Sequence, residues 1–292
     1  MRADPSQYLL VAPQSLQEAM ALLAREPGEW LPIAGGTDVM VLYGAGTLSS
    51  RKLVDVASLR ELHGLAELPD ELVIGAGCTY SELRAHPMIA REFPMLAAAA
   101  SWTGGIANQN RGTLGGNIAN ASPAADSLPS LLAYDAHLSL VSVRGERRMA
   151  YRKFHLGYKK TAMAADELIR AIHLPRKFAN YFSFARKIGA RQAQAISKVA
   201  IAALGRLQNG VIADLRIALG SVAPTPVRLE NLEAALLGKP PGSCSMPELR
   251  ATLAAEISPI ADIRSTAEYR AAVAANLVME FLERMRLGAP SI

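Results

Sequence analysis

Arg111-Gly112-Thr113-Leu114-Gly115-Gly116-Asn117-Ile118-Ala119-Asn120-Ala121-Ser122-Pro123-Ala124-Ala125-Asp126 holds three glycines within five residues, and the next glycine is Gly145. Such a cluster lets the backbone turn sharply and leaves no side chains over its N–H groups. Bared N–H groups in a turn form a concave, weakly positive nest that suits a phosphate. Thr113 adds a hydroxyl, and Asn117 an amide that can both donate and accept. Ser122 then reads as a helix N-cap, with Pro123 at the first helical position leading into Leu128, Leu131 and Leu132. A tight turn before a helix would account for the same residues without any ligand.

A second glycine loop lies upstream, at Leu31-Pro32-Ile33-Ala34-Gly35-Gly36-Thr37-Asp38-Val39. Here an apolar strand runs into a Gly-Gly pair, followed by a hydroxyl and a carboxylate. Two strand-to-Gly-Gly loops, each beside a Thr, have the makings of a clamp for the two phosphates of one dinucleotide. Neither is the dinucleotide fingerprint G-x-G-x-x-G, which the chain lacks. Neither is a P-loop, since Gly238-Lys239 is followed by Pro240 rather than Ser or Thr.

With both loops in place, the chain resembles the FAD-binding medium subunits of the xanthine dehydrogenase and carbon monoxide dehydrogenase family. The likeness continues, in the family's order, through Tyr158-Lys159-Lys160-Thr161, Glu167-Leu168-Ile169, Ala195-Ile196-Ser197-Lys198-Val199, the run 219–225 (Leu-Gly-Ser-Val-Ala-Pro-Thr) and the run 262–270 (Asp-Ile-Arg-Ser-Thr-Ala-Glu-Tyr-Arg), so it covers nearly the whole chain. The resemblance implies FAD as cofactor. It places Ile33, Ala34, Gly35, Gly36, Thr37, Asp38 and Val39 around the diphosphate, and Thr113, Leu114, Gly115, Gly116 and Asn117 near the diphosphate and the ring. Asp126, thirteen residues after Thr113, falls where the family has an Asp at the ribose end; without a cofactor it would be a first-turn helix carboxylate. Asp38 has a plain reading too, as a cap on the following backbone. Lys187, twelve residues before Val199, matches a Lys near the flavin of xanthine dehydrogenases; the bland alternative is a solvated strand Lys. Ile169 falls where the family has an apolar residue against the ring, or is plain core. Thr103 stands where some relatives have an aromatic near the flavin, and Ala190-Arg191-Gln192 where relatives tend to have acidic or tyrosyl residues. No catalytic side chain and no metal ligand is assigned.

The fold implied is α+β. Residues 1–176 would form a two-subdomain FAD-binding domain (PCMH-type), and 177–292 a domain with a three-stranded antiparallel sheet and helices. The patterning agrees. Strands and helices interleave up to Leu168–Leu174, closed by Pro175. Three strands follow, at Tyr181–Ile188, Ser197–Leu207 and Val211–Leu219, the last two joined by Asn209-Gly210 as a hairpin. Helices come last, over Arg228–Leu237, from Ser245 with Glu248 as its capping-box partner, and from Ser265 with Glu268. Strands followed by helices point to a separate α+β unit.

At 292 residues, half of them apolar, the chain is long enough for one large or two ordinary domains. No apolar run reaches about 18 residues, so no membrane span is expected, and Met1-Arg2-Ala3-Asp4-Pro5 has no signal-peptide core behind it. Cys78 and Cys244 are the only cysteines, which fits a reducing, cytoplasmic setting and cannot supply the four thiolates of an iron–sulfur cluster. The formal charge of +5 is spread along the chain. Without a basic stripe interleaved with aromatics, nucleic acid is not an expected partner.

The five histidines, His63, His86, His137, His155 and His173, show no metal-ligand spacing, and no G-x-S-x-G occurs. None lies in a glycine loop, so the flavin is expected to bind noncovalently. The resemblance implies an electron-transfer subunit with two partners, a large subunit carrying a molybdenum cofactor and a small one carrying two [2Fe–2S] clusters, assembled as a dimer of heterotrimers. The rival readings are a self-sufficient flavin oxidase or reductase on the same FAD domain, and a flavin-free binding module in which both loops are only turns.

Overall fold

Three short strands, β1 (Leu9–Val11), β2 (Trp30–Ile33) and β3 (Lys52–Asp55), pair parallel in the order β1-β3-β2. The computed structural model describes residues 4–191 and 194–290. Helix α1 (Leu16–Arg25) packs Leu16, Ala19 and Leu23 against this sheet; Ser15 caps it, accepting from the Glu18 N–H at 3.2 Å. Helix α2 (Val39–Ala45) leaves the first glycine loop and buries none of its residues.

The second sheet is antiparallel: β4 (Leu65–Glu67), β5 (Glu71–Gly75), β6 (His137–Ser142), β7 (Gly145–Ala150) and, after the small ribbon β8 (His155–Gly157) and β9 (Lys160–Thr161), β10 (Leu168–Pro175). The five strands lie in the order β4-β5-β10-β6-β7. Between β5 and β6 the chain makes α3 (Tyr80–Ala85), α4 (Pro87–Glu92), α5 (Pro94–Trp102), α6 (Ile106–Gln109), α7 (Leu114–Asn120) and α8 (Leu128–Ala133). The Thr79–Glu82 capping box forms as its spacing predicts. Pro94 separates α4 from α5, because a proline has no N–H to continue a helix.

The last third contains β11 (Phe182–Ile188), β12 (Val199–Gln208) and β13 (Val211–Gly220), antiparallel, with a two-residue fourth strand, β14 (Val227–Arg228). Asn209 and Gly210 both take positive φ, 53° and 77°, as a two-residue hairpin turn requires. The apolar run of β12 is buried on both faces. Ala202 and Leu204 join the core beneath the helices of the first half, whereas Val199, Ile201 and Ala203 face α9 (Glu230–Leu236), α10 (Met246–Ala254) and α11 (Ala267–Arg286). The sequence places the last N-cap at Ser265; it is Thr266, one residue on, because Ser265 is held in a turn by mutual backbone bonds with Asp262. No helix among the described residues is long and apolar enough to cross a membrane.

Candidate functional site

The two glycine loops, about seventy-five residues apart in sequence, touch. The Gly35 Cα sits so close to the second loop that a Cβ there would fall 1.8 Å from the Arg111 carbonyl oxygen, and one on Gly112 would lie 3.5 Å from the Thr37 hydroxyl. Only glycine permits this approach. The first loop has the geometry of a backbone cradle. Ile33 ends β2 with its carbonyl accepting from the Val56 N–H, and Gly36, at φ +74°, turns the chain into α2. The N–H groups of Gly35, Gly36, Thr37 and Asp38 donate to no acceptor among the described residues. Asp38 holds the N-cap position of α2 without a side-chain bond, so it does not cap, contrary to the plain reading of the sequence.

The second loop differs from its sequence reading. Leu114 to Asn120 is a helix with Thr113 as N-cap, its hydroxyl accepting from the Gly116 N–H at 3.1 Å. The N–H of Leu114 donates to the Cys78 carbonyl and that of Gly115 to the Ala76 carbonyl, so these two are engaged rather than bare. Gly115 is small because α7 packs tightly here; a Cβ on it would lie 2.5 Å from that of Ala76. Gly116 alone of the cluster is exposed, with Thr113 Oγ1 the one atom near its Cβ direction, at 2.8 Å. The helix expected from Ser122 begins at Leu128 instead. Ala121, at φ 49°, ends α7, and the chain needs the following residues as turns to reach α8. Asp126 is therefore outside any first helical turn.

Beside α7 lies a buried polar cluster. Asn117 Oδ1 accepts from the Ser127 hydroxyl at 2.7 Å, and the Tyr80 hydroxyl stands 3.3 Å from the same Ser127 oxygen. The Thr103 hydroxyl donates to the Ala99 carbonyl at 2.8 Å and also neighbours Tyr80. Asp126 pairs with Lys187 at 2.6 Å, and the Ser197 hydroxyl donates to its second oxygen. The Lys187 ammonium also donates to the Trp102 carbonyl at 3.2 Å. The side chains of the pair are only 5% and 7% exposed, so Lys187 is not a solvated strand lysine. Burial pushes the Asp126 carboxyl above its usual range, while the Lys187 cation and the two hydrogen bonds pull it back. Burial likewise raises the Tyr80 phenol well above its ordinary value.

These residues come from both halves of the chain: Asn117, Asp126 and Ser127 from the first, Lys187 on β11 and Ser197 before β12 from the second. Ile169 stands apart, 6% exposed, in the same buried core that holds Leu114 and Ile118. Gln192 lies outside the described residues. Sequence reasoning missed Tyr80, Ser127 and Ser197; Ser197 sits inside a quoted motif, but nothing in its spacing announces a bond to Asp126. Among the described residues no group of three or more His, Cys, Asp or Glu is placed to hold a metal. A cleft of about 490 Å³, lined in part by Asp135, Arg152, Lys177, Arg216, Arg228 and Glu233, shares no residue with the glycine loops. Its arginines are largely answered by carboxylates: Arg228 bonds Glu233 and Asp135, and Arg216 bonds Asp135.

Comparison with known proteins adds an independent line. Residues 5–177 match the model of the FAD binding domain in molybdopterin dehydrogenase, and residues 184–285 that of the CO dehydrogenase flavoprotein C-terminal domain. The chain is 34% identical over 258 residues to the xanthine dehydrogenase FAD-binding subunit of Escherichia coli O157:H7, covering 88% of each. It is 30% identical to the carbon monoxide dehydrogenase medium chain of Hydrogenophaga pseudoflava, covering 95% of this chain and 96% of that one. Against solved structures, it superposes on a chain of the carbon monoxide dehydrogenase from Oligotropha carboxidovorans with a TM-score of 0.92 at 26% identity, over 99% of this chain and all of that one.

Proposed function

Because the chain belongs to the family of FAD-binding medium subunits of xanthine and carbon monoxide dehydrogenases, we propose that it passes electrons between [2Fe–2S] clusters of a partner subunit and an external acceptor or donor. It is the flavoprotein component of an oxidoreductase, and its cofactor is FAD. FAD supplies one- and two-electron exchange. The chain's own residues hold and orient it.

The reading of the site rests on one observation above all: the Gly35–Gly36 loop, with its unengaged N–H groups, abuts the N-terminal end of α7, where Gly116 is open and Asn117 half-buried. The donors of the first loop, from Gly35 to Asp38, take phosphate oxygens. Ile33, Ala34 and Val39 frame that loop. Thr113 and Leu114 fix the start of α7, Gly115 lets it pack, and Gly116 and Asn117 meet the cofactor. Asp126 and Lys187 act as one neutral pair, anchored by Ser197, beside Thr103. Ile169 backs α7 from the core. The chain divides near residue 176 into a FAD-binding domain, 1–176, and a C-terminal domain, 177–292, which contributes Lys187 to the site.

In the assembly proposed, a large subunit with a molybdenum cofactor carries out the substrate chemistry, and a small subunit with two [2Fe–2S] clusters relays electrons. The whole is a dimer of heterotrimers. Subunit names such as the medium chain of carbon monoxide dehydrogenase are the support for it. Purified chain is expected to be yellow, and acid or heat should release FAD, identified by chromatography, leaving colourless protein. A colourless chain that also fails to take up added FAD would overturn the site assignment.

A further inference from the structure

Ser127 is fully buried, Tyr80 nearly so, and neither belongs to a glycine loop. A serine hydroxyl has a single proton to give. Here it goes to Asn117 Oδ1 at 2.7 Å, which leaves the Ser127 oxygen free to accept from the Tyr80 hydroxyl at 3.3 Å. The three side chains thus form a directional relay, Tyr80 to Ser127 to Asn117. Its end point is the carbonyl side of an amide that could otherwise rotate by half a turn. With Oδ1 held inward, the Asn117 NH2 group carries two donors, and they meet no acceptor among the described residues. Asn117 follows directly on Gly116, the one open glycine of α7.

We infer that Ser127, backed by Tyr80, is a positioning residue that locks the Asn117 amide so that it presents donors, and never its carbonyl, to an acceptor oxygen of the bound FAD. This inference rests on the FAD reading above and goes further, naming the polarity of the contact and the residue that sets it. Phosphate and flavin carbonyl oxygens are the acceptors such a group recognises. A free amide would instead spend part of its time offering its own oxygen to them, which repels. Ser127 is fully buried, so it acts on the cofactor through its neighbours rather than by direct contact.

The test is a double-mutant cycle on the full chain stripped of flavin, with FAD uptake followed by quenching of flavin fluorescence. Ser127→Ala should raise the Kd for FAD about three- to fivefold, because the freed amide presents its donors only part of the time and the apparent Kd rises by the inverse of that fraction. In an Asn117→Ala background, adding Ser127→Ala should change the Kd by less than about twofold, because the residue it positions is gone. Tyr80→Phe should give a smaller loss than Ser127→Ala. If the Ala variant does not fold, Ser127→Cys, close in size and a weaker donor, replaces it and should still weaken binding. A parental Kd in the Ser127 variant overturns the inference, as does an equal loss in both backgrounds, which would assign Ser127 to the fold alone. A parent chain that takes up no FAD at all would instead sink the functional reading.

Discussion

Gly35, Gly115 and Gly116 are indistinguishable as letters in a Gly-Gly pair, yet each is required for a different reason. A Cβ on Gly35 or Gly115 would drive into backbone or a neighbouring Cβ, at 1.8 Å and 2.5 Å, so substitution there forces apart the two loops, or α7 and the segment that follows β5. At Gly116 the one close atom is Thr113 Oγ1, at 2.8 Å. Gly116→Val should cost the Thr113 cap roughly 1 kcal/mol, offset only in part, because valine gains about 0.3 kcal/mol over glycine in a helix. The fold should survive while the added side chain stands where FAD must approach. We expect roughly tenfold or greater loss of FAD affinity with a melting temperature of the flavin-free chain near the parental one. Gly157→Ala is the control, since nothing lies within 4 Å of its Cβ direction and its φ is ordinary. Gly145, also clear of the loops, is not a suitable control, because at φ +115° any side chain there would be strained. Equal FAD affinity in the two variants would mean that α7 does not face the cofactor. The difference among these glycines was not legible in the sequence, because it depends on the 76–80 segment and on Arg111, which only the fold brings near.

At the scale of elements, helix α7 was hidden by the same glycines that drew attention to it. Glycine costs a helix about 1 kcal/mol relative to alanine, so Gly115-Gly116 reads as a turn. Tertiary contacts override that preference: the Thr113 cap and the carbonyls of Ala76 and Cys78 answer the first N–H groups. Capping boxes read from a three-residue spacing form at Thr79 and Ser245 but not at Ser265, where the cap is Thr266. The run 262–270 was legible as a motif but not as a mechanism. Arg270, 3% exposed, reaches from α11 to the carbonyls of Lys198 and Ser221, and pairs with Asp262 at 2.9 Å. The Ser221 hydroxyl in turn donates to the Ser197 carbonyl, and Ser197 holds Asp126. Three separate motif stretches are thus one hydrogen-bonded knot behind the site. Arg270→Met keeps most of the volume but strands the carbonyls of Lys198 and Ser221, while Asp262 keeps Arg264 and the Arg264 and Ser265 N–H groups, so we expect roughly 2–4 kcal/mol of destabilisation, read by urea unfolding. The same variant should also lose FAD affinity if folded. A variant as stable as the parent would show that the knot is incidental.

On the scale of the whole molecule, the two halves grip each other across α8. Asp126 precedes the helix and takes Lys187 and Ser197; Asp135 follows it and takes Arg216, Arg228 and Lys177. The C-terminal sheet lies over α8 so closely that a Cβ on Gly220 would be 3.1 Å from the Pro129 ring. The proposed cofactor site is therefore set by both halves, and its titratable groups are already committed. The Lys187 ammonium is held by Asp126 and the Trp102 carbonyl, and burial keeps the Tyr80 phenol protonated. Neither is placed to take a proton from an organic substrate. On the electron-transfer function proposed above, the bound FAD exchanges electrons that arrive from another chain. We expect organic substrates of the large subunit to leave the flavin of the isolated chain oxidised, and to bleach it once the iron–sulfur and large subunits are added. With a formal charge of +5 spread over the chain, attraction to an acidic partner would make the bleaching rate fall as salt rises from about 50 to about 500 mM, where screening shortens to a few ångströms. Absorbance near the flavin maximum after anaerobic mixing reads all three conditions. Substrate-driven bleaching of the isolated chain would overturn the electron-transfer reading and favour a self-sufficient flavin oxidase or reductase.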